Sequence, residues 1–133
     1  MTVASPTPAP SPAEVRAWLG RYVDAVNARD PDTLAALFAA DAEQADPASN
    51  PPNVGRDAIR AFFAASIDAS RTWTFTAERV HTCAEHAAVD FRIEIDLEGM
   101  ATTIAGIEVV TFEPDGLIRS VAAYWDDADV TVA

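Results

Sequence analysis

The sequence predicts an α+β fold, with three N-terminal helices packed on a curved mixed or antiparallel β-sheet. Apolar residues recur at helical spacing up to about residue 67. From about residue 72, apolar and polar residues alternate, as they do in half-buried strands. Because the helices come first and the strands follow, the pattern is typical of the α+β class. A strongly curved sheet wrapped against these helices would enclose a cone-shaped pocket.

The helical half follows a proline-rich leader. Residues 1–12 carry four of the nine prolines and no periodicity, which predicts an extended or disordered leader before a single domain at 13–133. A cap at Ser11, a proline at Pro12 and an early acid at Glu14 indicate the start of the first helix. Apolar spacing predicts helices that end at Ala28 and span Asp32 to Ala39 and Asp57 to about Ile67.

The second half predicts strands joined by short turns. A short extended segment, 42–46, leads into a loop rich in Pro, Asn and Ser. The strands predicted after the third helix are 72–81, 89–97, 103–112 and 117–125, with turns at 98–100 and 113–116.

Length, composition and charge bound the function. The chain has 133 residues, 50% of them hydrophobic, which suits one globular core. A formal net charge of -12 argues against nucleic acid or an anionic membrane as partner, because both bind basic surfaces. No run approaches the roughly 18 to 20 apolar residues of a membrane span, and no signal peptide is visible. We therefore expect a cytoplasmic protein.

The sequence predicts neither a metal site nor a cofactor site. Cys83 is the single cysteine, so no internal disulfide can form. His81 and His86 lie near it, but their spacing fits no common zinc site, and we interpret them as surface residues around a turn. Gly-rich phosphate loops and nucleophile-elbow motifs are absent from the sequence, which leaves nucleotide-dependent and acyl-transfer chemistry without support.

Glu108 is an acid in an otherwise apolar segment. If the segment is a strand, Glu108 shares a face with Ile104, Gly106, Val110 and Phe112. Loss of water there would raise the pKa of Glu108 and keep it protonated, able to donate a hydrogen bond. The opposite face is also rather apolar, so the pattern alone leaves Glu108 either buried or solvated.

Tyr22 and Asp46 also allow two interpretations each. Tyr22 lies within the apolar stripe of the first helix, where its hydroxyl needs a partner, either the backbone or a group in a pocket. Asp46 precedes Pro47 at a junction between an extended segment and a loop. It is either an ordinary turn residue or a carboxylate at a site, since irregular segments on a rigid scaffold often carry sites.

Several short motifs follow one another between about Val15 and Val130. They are Arg21-Tyr22-Val23, Leu37-Phe38-Ala39, Asp46-Pro47, Gly55-Arg56, Ile107-Glu108-Val109, Asp115-Gly116 and Ala123-Tyr124-Trp125. Together and in this order they resemble the bacterial Δ5-3-ketosteroid isomerases. The resemblance implies the cone-shaped nuclear transport factor 2-like, or SnoaL-like, fold. It also implies a cofactor-independent steroid Delta-isomerase with a small-molecule steroid substrate, and a homodimer.

The resemblance implies roles for individual residues. Tyr22 and Glu108 match the two donors of an oxyanion hole, and Asp46 matches the general base. The walls of the steroid site would be Phe62, Phe63, Phe91 and Trp125. Glu108 stands where family enzymes have an aspartic acid, one methylene shorter.

Other functions fit the same fold. A polyketide cyclase-like enzyme could use an acid at Asp46 or Glu108 on a substrate of different shape. An epoxide hydrolase would need a carboxylate and amides to position water, for which the sequence offers Asn27, Asn50 or Asn53. A non-catalytic binding module is the third alternative, because fold alone does not decide function.

Overall fold

The structure is a computed structural model that describes residues 8–133. Residues 1–7 of the predicted leader lie outside the described residues, and the predicted domain limits stay a prediction. Three α-helices occur in the described part: α1 (Pro12–Ala28), α2 (Pro31–Ala36) and α3 (Arg56–Asp68). The start of α1 is a capping box, in which the Glu14 N–H donates to the Ser11 hydroxyl and the Ser11 N–H donates to the Glu14 carboxylate.

The strands form one mixed sheet. Those within residues 8–133 are β1 (Phe38–Ala45), β2 (Asn53–Val54), β3 (Trp73–Cys83), β4 (His86–Leu97), β5 (Met100–Phe112), β6 (Ile118–Tyr124) and β7 (Val130–Val132). Their order is β2-β1-β6-β5-β4-β3, and β7 pairs with β5 beside β6. The pairing of β1 with β6 is parallel and the others are antiparallel. The predicted α+β class is confirmed, and of the two kinds of sheet that the sequence allowed, mixed or antiparallel, the structure has the mixed one.

The second predicted helix, Asp32 to Ala39, is wrong at its C-terminal end. α2 ends at Ala36, and Phe38 is already the first residue of β1. The Phe38 side chain is fully buried, and the Ile118 N–H donates to the Leu37 carbonyl beside it. Burial and pairing with β6 therefore outweigh the helical preference of this short segment, which local periodicity cannot show.

Irregular register bends the sheet. The pairing shifts along β1, β3 and β5, between Phe38 and Glu43, between Ala77 and Arg79, and at Thr111. Such bulges increase local twist and turn a strand away from its partner. β2, β7 and a 3-10 turn at Asp127–Asp129 were not predicted, because elements of two or three residues carry no periodic signal.

The helices cover the concave face of the sheet. α1 contacts β3 and β4, whereas α3 contacts β1 and β2. The largest side chains buried in this core include Val15, Leu34, Phe38, Ile59, Phe112 and Ile118. Because the two helices rest on opposite edges of a curved sheet, a cavity opens between them.

Within the described part of the chain, no helix is long and apolar enough to cross a membrane. The cytoplasmic location expected from the sequence stays a prediction.

Candidate active site

The cavity between the helices and the sheet has a volume of about 390 Å³ and is open at one side. It brings together side chains from α1, α3, the loop after β1, three strands and the residue after β6. All seven site residues named from the sequence line it: Tyr22, Asp46, Phe62, Phe63, Phe91, Glu108 and Trp125. Its lining is mostly apolar, as expected of a site for a small apolar molecule.

Glu108 faces the cavity rather than solvent. Its side chain is 5% exposed, whereas Ile107 beside it is 45% exposed. Burial, and then the charge of Asp46, raises the pKa of Glu108 from 4.5 to about 8, although the hydrogen bond from Tyr22 acts in the opposite direction. Glu108 is therefore a neutral acid at neutral pH, and it can donate a hydrogen bond.

Tyr22 is the hydrogen-bond partner of Glu108. Its hydroxyl donates to Oε1 of Glu108 across 2.9 Å. Burial, followed by the charge and hydrogen bond of Glu108, holds the pKa of Tyr22 well above its ordinary value of 10.0. The Tyr22 ring packs edge-on against Phe38, with 6.3 Å between the ring centroids, and phenylalanine offers the hydroxyl no partner. Tyr22 and Glu108 thus form a neutral pair.

The second carboxyl oxygen of Glu108 is left for a ligand. This oxygen, Oε2, forms no hydrogen bond with another residue of 8–133. Every fully buried side-chain oxygen in that range has a hydrogen-bond partner, so Oε2 is not fully buried. This oxygen is therefore accessible from the cavity. If Oε1 accepts the Tyr22 hydrogen, the proton of Glu108 lies on the accessible oxygen and can be donated to an oxygen of a bound molecule.

Asp46 follows β1 directly and lies in the same cavity as the neutral pair. The indole N–H of Trp125 donates to Oδ1 of Asp46 across 2.7 Å. Burial raises the pKa of Asp46 from its ordinary value of 3.8, and the hydrogen bond from Trp125 opposes that shift. A donor to the carboxylate favours its ionised form. The cavity thus holds one acid paired with a phenol and another paired with an indole.

Aromatic and aliphatic side chains form the walls. The sequence-predicted wall residues pack together in part, since the Phe62 and Phe63 rings lie 5.4 Å apart edge to face. The Phe91 ring stacks on Phe75, with 5.5 Å between centroids. Asn50, named from the sequence only as an amide for an epoxide hydrolase, also lines the cavity. The cavity residues that sequence reasoning missed are Val26, Pro47, Ser66, Trp73, Phe75, Ile93, Ile95 and Ile104.

A signal for part of this missed set was present. Ile93 and Ile95 share a strand face with Phe91, and Ile104 shares one with Glu108. Once Phe91 and Glu108 were assigned to a pocket, the period of two would have added these three isoleucines. Trp73 lacks such a signal, because β3 is placed beside the cavity by its pairing with β4 and its contacts with α1, which its own sequence pattern does not show.

Two polar residues at the end of α1 hold the wall in place. The Asn27 amide donates to the Phe75 carbonyl across 2.9 Å and accepts from the Phe75 N–H across 2.7 Å. These bonds tie edge strand β3 to α1. The Arg29 guanidinium lies over the Trp73 ring, 4.7 Å from its centroid, and binds the Ser70 backbone carbonyl after α3. The wall therefore depends on contacts that join the end of α1, the end of α3 and strand β3.

The amides do not form a set that could position water in the cavity. Asn27 is bound to the backbone of β3, and the Asn53 amide donates to Gln44 across 2.7 Å. Asn50 alone of these three lines the cavity. The arrangement expected of an epoxide hydrolase is therefore incomplete.

Residues 8–133 contain no group of three His, Cys, Asp or Glu side chains arranged to hold a metal ion. His81, Cys83 and His86 lie at the exposed end of the β3–β4 hairpin, away from the cavity lining.

Comparison with known proteins finds a matching family model and a relative of similar length. The family model of the SnoaL-like domain matches residues 19–121. The chain is 38% identical over 120 residues to a steroid Delta-isomerase of Nocardioides simplex, an alignment that covers 90% of this chain and 96% of that protein.

Solved structures share the fold. An epoxide hydrolase/cyclase-like enzyme, SalBIII, of pyran ring formation in the polyether salinomycin superposes with a TM-score of 0.84 at 24% identity, covering 91% of this chain and 97% of that chain. RV0760c from Mycobacterium tuberculosis gives 0.83 at 22% identity, with 93% and 99% covered. A computationally designed 17-OHP binder gives 0.80 at 21%, with 90% and 98% covered. At these identities the likeness establishes the fold alone, and it confirms the predicted fold.

Proposed function

The chain belongs to the SnoaL-like domain family, and from this premise we propose that it is a steroid Delta-isomerase that converts 3-oxo-Δ5-steroids into 3-oxo-Δ4-steroids. The 38% identity to a steroid Delta-isomerase supports an isomerase. The observation that carries the finer proposal is the pairing of Tyr22 with a buried, protonated Glu108 in the same apolar cavity as Asp46.

The reaction needs one base that both removes and returns a proton. Moving the double bond from the 5,6 to the 4,5 position removes a proton from C4 and adds one at C6. We assign both transfers to the Asp46 carboxylate, which takes the C4 proton, becomes a neutral acid and then delivers the proton to C6. Because the base is regenerated within each turnover, the scheme requires no cofactor.

Negative charge collects on the steroid O3 between the two transfers. Donors aimed at that oxygen stabilise the enolate more than the starting ketone, and so accelerate the reaction. Tyr22 and Glu108 are the donors in this proposal, and the Tyr22 hydroxyl turns its single hydrogen from Oε1 of Glu108 to the steroid oxygen when the steroid binds. Both are neutral acids with raised pKa values, so they can donate without carrying charge of their own into the site.

The proposed chemistry requires the two acids to stay in different protonation states. The Trp125 N–H supports an ionised Asp46, and the apolar surroundings of β5 support a neutral Glu108. Ketosteroid isomerase is a known case of two carboxyl groups kept in different protonation states in this way. The apolar walls complete the arrangement, because they exclude water that would compete for the enolate oxygen.

The test is turnover of 5-androstene-3,17-dione, followed by the absorbance of the conjugated 4-ene-3-one product. We expect rapid isomerisation and, with substrate deuterated at C4, transfer of part of the deuterium to C6 of the product. Transfer of label distinguishes a single base from exchange with solvent. If the chain binds the steroid without turning it over, it is a binding module, and the proposal fails.

We also propose that the protein forms a homodimer through the outer face of its sheet. Ile107 and Tyr124 are directly paired on that face and are 45% and 55% exposed. Exposed apolar groups that lie together on a sheet are suited to an interface. Sedimentation of the full chain is expected to give twice the monomer mass, and Ile107→Lys to reduce it to the monomer mass. A wild-type chain that sediments as a monomer would refute the dimer.

A further inference from the structure

Gly106 lies on the cavity face of β5, two residues before Glu108. Its neighbour Ile107 pairs with Tyr124, the last residue of β6. Gly106 is therefore opposite the point at which the chain leaves β6 and continues into Trp125.

A side chain at position 106 has no room. A Cβ added to Gly106 would overlap the Tyr124 carbonyl oxygen and would lie 3.1 Å from Cβ of Trp125 and 3.2 Å from Cε1 of Phe91. The carbonyl oxygen is backbone and cannot rotate away. The chain at Tyr124 and Trp125 would thus have to move away from β5.

Backbone conformation does not explain this glycine. Gly55, Gly99 and Gly116 have positive φ angles, whereas Gly106 does not. Gly106 has ordinary strand geometry, in which alanine is permitted. The close approach of the chain after β6 is therefore what excludes a side chain.

We propose that Gly106 is a positioning residue for Asp46 and acts through Trp125. The missing side chain allows the chain after β6 to lie against β5. From that position the Trp125 indole N–H donates to Oδ1 of Asp46, which follows the neighbouring strand β1, at 2.7 Å. The inference rests on the proposed role of Asp46 as the base, whose ionised form this bond favours.

The surroundings of Asp46 make this contact important. The other ionisable groups that line the cavity are Tyr22 on α1 and Glu108 on β5. Both are acids, which are neutral or negative at every pH, so neither supplies a positive charge that would favour the carboxylate. Among residues 8–133, the indole N–H is the side-chain donor to the Asp46 carboxylate. Alanine at position 106 would displace the indole N–H, and the ionised form of Asp46 would lose a hydrogen bond that favours it.

The experiment is a titration of the Asp46 carboxyl carbon by NMR in four proteins: wild type, Gly106→Ala, Trp125→Phe and the double variant. Trp125→Phe keeps an aromatic ring and removes the N–H. We expect each single change to raise the pKa of Asp46 by about one unit. The double variant should match Trp125→Phe, because the contact through which Gly106 acts is then already gone. The acid limb of kcat/KM should move by the same amount.

Gly20→Ala is the matched control, because an added Cβ there meets no heavy atom within 4 Å. It should leave the titration unchanged. An unshifted pKa in Gly106→Ala, or additive shifts in the double variant, would overturn the inference. So would an unshifted pKa in Trp125→Phe, which tests the contact even if Gly106→Ala does not fold. The titration needs no turnover, so it can succeed or fail independently of the isomerase assay.

Discussion

Replacing Asp46 with asparagine is expected to lower kcat for the steroid isomerisation by about 10²- to 10⁴-fold, with little change in KM. The amide has nearly the same shape and can still accept the hydrogen bond from Trp125, but it cannot take a proton from C4. General base catalysis of this kind contributes a factor of that size. The measurement is the steady-state rate of formation of the conjugated enone, with transfer of deuterium from C4 to C6 as a second reading.

Asp41→Asn is the control for this change. Asp41 is exposed on β1, only a few residues from Asp46, so the same substitution alters charge without touching the cavity. It should retain the wild-type kcat. Full turnover in Asp46→Asn would remove Asp46 from the mechanism, and a raised KM with unchanged kcat would make it a binding residue instead.

Most helices and strands could be predicted from the sequence because their burial pattern and end signals are local. β4 alternates between apolar and charged residues because one of its faces is buried and the other is exposed to solvent. The capping residues of α1 lie close to one another in the sequence, so they can be recognised locally. The change from α2 to β1 at Phe38 was hidden, since it depends on pairing with Ile118, a residue 80 positions away in the sequence. Long-range pairing of this kind leaves no local pattern.

Part of the cavity lining was predictable from the sequence, whereas the contacts between its side chains were not. The facing of Glu108 could not be read from β5, because both of its faces are apolar and the outer one stays exposed at Ile107. The bond between Trp125 and Asp46 joins residues 79 positions apart, and it depends on how the chain leaves β6. Family resemblance suggested which residues meet. The structure shows which contacts these residues make with one another, and that the chain after β6 occupies the space left by Gly106.

The ionisation of Glu108 gives the second large effect. We expect kcat/KM to fall about tenfold per pH unit above about pH 8, because the free enzyme then loses the proton that Glu108 donates to the steroid oxygen in the proposed mechanism. Tyr22 does not cause this limb, since its pKa lies well above 10.0. The acid limb has the opposite sign: activity rises with pH as Asp46 loses its proton, at a pKa above 3.8.

Glu108→Gln should remove the alkaline limb. The glutamine amide donates at every pH, but more weakly than a carboxylic acid. Activity at pH 7 should therefore fall, by no more than the roughly 10²-fold that follows complete loss of an oxyanion donor. Glu43→Gln, at an exposed position of β1, should keep both the rate and the limb. An alkaline limb that persists near pH 8 in Glu108→Gln would assign it to another group.

Glu108 should also make stability depend on pH. Its pKa is raised by folding, from 4.5 to about 8, so the folded state binds a proton that the unfolded state releases in this range. The free energy of unfolding should therefore decrease as pH rises from 4.5 to 8 and level off above 8. Glu108→Gln should remove this decrease, because glutamine does not ionise. Above pH 8 the variant should be more stable than wild type by on the order of 4 kcal/mol, with little difference near pH 4.5. Urea unfolding at both pH values measures it, and the contribution of Asp46 is largely common to the two proteins. Equal stability of the two proteins at pH 9 would mean that burial does not hold the proton on Glu108, and the oxyanion donor would then have to be Tyr22 alone.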